Sequence, residues 1–338
     1  MKKLIFLFLY FPCTVFGQSY NFVQQTSGTA TSIRGMSIVS DQVAWVSGSN
    51  GTVGKTVDGG LSWQWIKPVG YEKLDFRDIE AFDTNKAIIV NAGSPAYILL
   101  TNDGGRTWKQ TYKNSDSAIF LDGMDFWDAK RGIIFGDPIK NRMQLLRTID
   151  GGLSWQDISS KLKWNILTGE AGFAASGTTI RTMDNGKVWI VTGGAASNLY
   201  YSHNYGDKWG FYECPIIQGE SSTGPFSIAF YDKKIGVVVG GNYLKDNENS
   251  NNILLTNNSG KTWTKPLKPV DGYRSCVVYI NDKTMIATGS SGTDVSTDAG
   301  LSWYNISKLN LNVIQKSKTG KLILVAGNKG QIYKLVSN

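Results

Sequence analysis

Three arginines, Arg34, Arg77 and Arg274, occupy corresponding points in a sequence that repeats itself, each at the start of a run that reads as a β-strand. Carboxylates fall at related points: Asp78 and Glu80 beside Arg77, Asp122 with Asp125, Asp137 in a following loop, and Glu170. A guanidinium presents a planar fork of donors that matches a carboxylate. Residues of these types gathered at one place either pair with one another or receive a polar or acidic ligand. Asn242, Tyr243 and Tyr273 belong to the same set of positions and would add hydrogen-bonding and apolar contact. Asp122, Asp125 and Asp137 are also oxygen donors of the kind hard cations take; the expectation is a site without metal or cofactor. One histidine, His203, and two cysteines beyond the N-terminal segment, Cys214 and Cys276, are too few for a zinc centre.

A repeat is what brings these positions together. An Asp or Asn, a Gly two residues later and a Trp at the fifth position recur six times, as in KTVDGGLSW (55–63), LTNDGGRTW (100–108) and RTIDGGLSW (147–155). The leading residues are Asp58, Asp103, Asp150, Asn204, Asn258 and Asp298, so the steps are 45, 47, 54, 54 and 40 residues. A period of roughly 40–50 residues made of short strands is that of a β-propeller blade. The glycine supplies the positive φ a hairpin connection needs, the Asp or Asn side chain accepts from its own turn, and the Trp packs within the blade. These phrases resemble the Asp box of sialidases and sortilin-type receptors. A turn spread over six blades is scaffold and says nothing of catalysis.

Three further strand-like segments separate successive boxes; in the second repeat they are 76–82, 87–91 and 96–101. The layout restarts near Ile33, Leu121, Ala171, Phe226 and Tyr273, and a last set follows the sixth box at 313–316, 322–325 and 330–335. That set lacks an outer strand, which 20–25 would supply, closing a seven-bladed, all-β propeller and hiding its edges. In such a ring the starts of the innermost strands and the loops joining second to third strands share one face. The residues named above therefore converge on one mouth of a central channel, and the boxes lie on the opposite face.

Residues 1–17 read as a secretory signal peptide, with Lys2 and Lys3 before an apolar core and Cys13 inside the removed segment. Residues 18–338 are then one propeller domain, expected to be a monomer, periplasmic or secreted, without an integral membrane segment. The formal charge of +8 falls to +6 without the two leader lysines; with no long basic run, nucleic acid is not an expected partner. Cys214 and Cys276 fall two blades apart, too far for an expected disulfide.

At the inner segments, FRDIEAFD (76–83), FLDGMDFW (120–127), FGDP (135–138), GEAGFAASGT (169–178), GESSTGPFSIAF (219–230) and GYRSC (272–276) resemble bacterial relatives of the photosystem II stability/assembly factor family. The resemblance spans nearly the whole mature chain. It implies a seven-bladed propeller that acts as an assembly or interaction factor on a protein or peptide partner in the cell envelope. Some relatives are labelled oxidoreductases, but no strand is followed by G-x-G-x-x-G and there is no CxxC. The alternative is a sialidase-like glycoside hydrolase, with the arginines as a carboxylate clamp and Tyr243 or Tyr273 with Glu170 or Glu220 as nucleophile and partner.

Overall fold

The computed structural model describes residues 20–25 and 28–337; the expected signal segment 1–17, with Cys13, lies outside them. Short antiparallel sheets follow one another along the chain. Blade 1 is Ile33–Ile38, Ala44–Gly48, Thr52–Thr56 and Gln64–Ile66, each strand paired with the next. Blades 2, 3, 4 and 6 repeat this order, and in blade 5 the outer strand shrinks to a single bridge between Leu255 and Thr264. Blade 7 consists of Leu311–Lys316, Ile323–Gly327 and Ile332–Ser337, completed by Tyr20–Gln24. Tyr20 pairs with Ser337 and Gln24 with Tyr333, so the two ends of the chain close the seven-bladed ring and leave no free edge there. Apolar side chains of neighbouring blades interlock: Ile33, Val46, Leu324 and Val325 share one cluster, and Ile88, Leu121 and Met124 share another.

The box turns follow one hydrogen-bonding scheme. In blade 1 the Thr56 hydroxyl donates to Asp58 Oδ1 (2.7 Å) and accepts from Gly60 N–H (3.0 Å), while Ser62 N–H donates back to Asp58 Oδ1 (2.9 Å). Thr101, Asp103 and Thr107 repeat it in blade 2, and Ser296, Asp298 and Ser302 in blade 6. The hydroxyl two residues before the Asp or Asn is thus part of the repeat, as T-x-D, T-x-N, S-x-N or S-x-D. In blade 5 Asn258 Oδ1 accepts from Thr262 N–H and its Nδ2 donates to Thr262 Oγ1, so an amide substitutes for the acid.

Two departures from regular propeller geometry position the central residues. First, register shifts interrupt five inner strands at one level, between Ile33 and Gly35, Phe76 and Asp78, Leu121 and Gly123, Pro225 and Ser227, and Leu311 and Val313. A bulge leaves one residue unpaired and re-aims its side chain; here those residues are Arg34, Arg77, Asp122, Phe226 and Asn312. Second, the inner strand of blade 4 begins at Ile180, not near Ala171 as the repeat suggests. The intervening stretch, Phe173 to Thr178, crosses the axis. Ala174 and Ala175 carbonyls accept from Arg77 and Arg34, Ser176 Oγ donates to Ser275 O (2.7 Å), and Thr178 Oγ1 donates to Ser227 Oγ (2.7 Å).

The box hydrogen bonds depress the Asp58 and Asp103 pKa values to about 2, the Ser62 and Thr107 hydroxyls contributing most. A carboxylate with a depressed folded-state pKa adds stability above its unfolded value of about 3.9, and that stability disappears as pH falls through the folded value. The melting temperature should therefore decline between about pH 4 and pH 2. An Asp58→Asn/Asp103→Asn variant, built on the Asn258 geometry, should decline less steeply over that window. Superimposable melting-temperature profiles would contradict this assignment.

Candidate functional site

The crossing segment divides the axis into two cavities. On the loop face lies one of about 590 Å³, lined by Arg34, Arg77, Asp122, Asp137, Phe173, Phe226, Tyr243 and Tyr273, with Ala174 and Ala175 as its floor. On the box face lies one of about 280 Å³, lined by Asp78, Glu80 and Asp125, with Ser176, Gly177 and Thr178 closing it from above. Small residues allow the crossing: Gly177 has φ +71°, and a Cβ there would lie 2.3 Å from the Asp78 carboxyl.

Of the twelve residues expected at one mouth, six line the loop-face cavity: Arg34, Arg77, Asp122, Asp137, Tyr243 and Tyr273. Asp78, Glu80 and Asp125 sit below the crossing segment. Asp78 accepts from Ile79 N–H (2.8 Å) and from Met124 N–H of the next blade (2.7 Å), and Asp125 likewise reaches Thr182 N–H (2.7 Å). Glu80 pairs with Lys318, and Asp125 lies 3.7 Å from Arg181. These acids join blades and neutralise cations at the box end, which corrects their placement at the opposite mouth. Burial raises the Asp78 pKa well above the usual carboxylate range.

Glu170, Asn242 and Arg274 lie behind the cavity wall. Glu170 Oε1 accepts from Tyr200 OH (2.9 Å), Asn198 Nδ2 (3.0 Å) and Thr192 Oγ1 (2.5 Å). Asn242 holds the turn before the rim, donating to Glu220 (3.2 Å) and accepting from Leu244 N–H (3.0 Å). Arg274 is 0% exposed, paired with Asp294 at 2.5 Å, and donates further to Tyr273 O, Ser291 Oγ and Asp271 O. Its neighbour Ser275 lines the cavity instead. In a strand a displacement of one residue turns a side chain to the other face. The equivalent of Arg34 is Ser275, and Arg274 corresponds to the inward Ile33. Losing one partner of a buried pair strands the other charge.

Arg34 and Arg77 differ from Arg274 in how their donors are used. Arg77 Nε donates to Asp75 Oδ2 (2.7 Å) and Nη1 to Ala174 O (3.4 Å). Arg34 makes one hydrogen bond among the described residues, a long one to Ala175 O (3.4 Å), and no ion pair. Burial lowers its pKa, and the charge of Arg77 lowers it further. Opposite them stands an aromatic wall: Phe173 stacks on Phe226 at 3.9 Å, and Tyr273 meets Phe226 edge-on at 4.8 Å. Tyr243 is half exposed at the rim, 6.0 Å from Phe226. The acidic loop after it is tied down, since Ser290 Oγ donates to Asp246 (2.7 Å) and Asn251 Nδ2 to Pro215 O (2.7 Å). Phe173, Phe226 and Asn312 are site residues that the sequence reading passed over. Aligning IRG, FRD, LDG, PFS and LNV would have exposed the last two, because each centre is a bulge.

Cys214 and Cys276 are free, buried thiols. His203 is exposed in its box turn and packs on Tyr201. No described helix is long and apolar enough to cross a membrane.

Two substitutions separate scaffold from site. Arg274→Met should cost about 3–5 kcal/mol in urea unfolding by leaving Asp294 buried and unpaired, and Arg274→Met/Asp294→Leu should recover part of it. A loss below about 1 kcal/mol would place Arg274 in an exposed role after all.

Comparison with known proteins agrees with this architecture. A family model described as the photosynthesis system II assembly factor YCF48 matches residues 18–116. The photosystem II assembly lipoprotein Ycf48 of Synechococcus sp. (strain CC9902) is 26% identical over 263 residues, 76% of this chain and 69% of the relative. A solved structure described as YCF48 bound to D1 peptide superposes with a TM-score of 0.67 at 18% identity, covering 94% of this chain and 97% of the other. YCF48 from Cyanidioschyzon merolae gives 0.65 at 18% identity over 94% and 98%. The WD40 propeller of Doa1 also gives 0.65, at 11% identity over 95% and 97%, so overall shape alone does not separate the families. The chain is a seven-bladed β-propeller, and it is similar to the photosystem II assembly factor Ycf48 by the family model over residues 18–116 and by the sequence relative at 26% identity.

Proposed function

We propose that the protein is a non-catalytic assembly or interaction factor whose loop-face cavity binds a carboxylate-bearing segment of a protein or peptide partner. One observation carries this reading: Arg34 and Arg77 stand in the same cavity with donors that the protein itself leaves unused, facing a wall of aromatic rings. Both side chains are partly open to the cavity, and two adjacent like charges are costly; an anionic ligand relieves that repulsion and takes the free donors. The rings would take an apolar side chain next to the carboxylate. That a propeller like this one is described with a bound D1 peptide supports a peptide as the class of partner.

A glycosidase is less well supported. Glu170 is committed to Tyr200, Thr192 and Asn198, Glu220 accepts from Asn242, and neither lines the cavity that Tyr243 and Tyr273 share. The reading includes export through the segment 1–17 and action in the cell envelope as a monomer.

Tagged wild type and Arg34→Ala/Arg77→Ala, both with unaltered melting temperature, should be compared as baits in solubilised envelope fractions. The variant is expected to lose the specific partner by about tenfold or more, since charge-assisted pairs of this kind are each worth over 1 kcal/mol. Equal recovery by both baits would remove the arginines from the binding role.

A further inference from the structure

The wall of the same cavity holds a second unsatisfied group. Asp122 is 1% exposed and lines the cavity, and among the described residues neither of its carboxyl oxygens accepts a well-formed hydrogen bond; the Asp137 backbone N–H that faces it is committed to Phe120 O (2.9 Å). A buried, fully ionised carboxylate in that situation would be strongly unfavourable. Its neighbour is Asp137 of the adjoining strand, which lines the same cavity and whose carboxyl acts on that of Asp122. Asp137 Oδ1 accepts from Gly172 N–H (2.9 Å), and Gly172 packs so closely that a Cβ there would lie 2.4 Å from Asp122 Oδ2. Gly172, just before the crossing segment, thus adjoins both carboxyls.

Resting on the anion-site reading above, we propose that Asp122 and Asp137 hold one proton between them and present it as a hydrogen-bond donor to a carboxylate seated on Arg34 and Arg77. Two carboxyls that close do not ionise together. Burial raises both pKa values, Asp137 raises that of Asp122 further, and Arg77 opposes the rise. Arg77 is itself engaged by Asp75 at 2.7 Å, so it does not neutralise the pair on its own. Arg34, Tyr243 and Tyr273 are the other titratable groups at this cavity, and Glu170 is turned away into its own hydrogen bonds. The role the pair plays is positional and selective: protonated, it donates to the ligand; ionised, it repels it. Carboxylate affinity therefore falls as pH rises through the titration of the pair.

N-acetylphenylalanine is a suitable probe, because it joins an aromatic ring to a carboxylate that stays ionised throughout pH 5–9. Calorimetric titration of wild type should show the dissociation constant rising by about tenfold or more from pH 6 to pH 9. Asp122→Asn/Asp137→Asn, which keeps the shapes and supplies donors but leaves neither group to ionise, should vary by less than about twofold over the same range. Carbon-13 carboxyl shifts of the ligand-free protein give an independent readout: one proton should remain on the pair at pH 7 in wild type. Both carboxyls ionising below pH 5, or a flat affinity profile in a wild type that binds the probe, would overturn the donor role alone. If wild type binds no probe at any pH, the anion-site reading falls and the donor role falls with it.

Discussion

Seven inner strands brought around one axis leave a space that must be filled, and the way it is filled governs the rest of this molecule. Here the filling is backbone. Phe173 to Thr178 runs across the axis and is held from several directions, by Arg34, Arg77, Ser227 and Ser275. Crossing backbone brings its own polar groups into the interior, and each needs a partner. Two of the arginines meet that need only weakly, at 3.4 Å, which is why they retain donors for something else. Without the crossing segment there would be one continuous passage; with it there are two closed-ended cavities of different chemistry.

That difference follows from strand register. A side chain at a bulge escapes the strict alternation of the strand, and the five bulged positions supply two arginines, an aspartate, a phenylalanine and an asparagine to the loop-face cavity. The next residues along turn into the wedges between blades. Asp78 there binds Met124 N–H and Ser227 accepts from Val277 N–H, each joining one blade to the next. The residues after those face the box end, where Glu80 finds Lys318. A single short motif, Arg77-Asp78-Ile79-Glu80, thus serves loop-face cavity, blade junction and opposite mouth in succession.

Much of this was legible in the residues. The boxes, their period and the missing outer strand together specify seven blades and the closing role of Tyr20–Gln24, because turns that need positive φ and strands that need partners leave few alternatives. The site was legible in part. Arg34 and Arg77 precede small or buried residues in a matching frame, whereas Arg274 stands one place earlier in its own, and a period-two structure turns that offset into burial beside Asp294. The crossing segment left no readable signal: AGFAASGT is neither alternating nor turn-like, and its small residues make sense only against the Asp78, Asp122 and Ser275 groups that it meets across the ring. Local pattern cannot report a contact whose partners lie 50 to 99 residues away.

The division of labour between floor and rim bears on how far the family likeness extends. On the reading proposed above, the floor, with its two arginines, the crossing carbonyls and the Asp122–Asp137 pair, selects a chemical group, not a protein. Identity of the partner must be read higher up, where Tyr243 and Leu244 are exposed beside a loop tied to Pro215 and Ser290. Affinity concentrates in desolvated anchors, and discrimination in what surrounds them. On that reading two propellers can share a carboxylate-seating floor and serve different assemblies, so the rim residues are those to vary in asking which partner this chain takes.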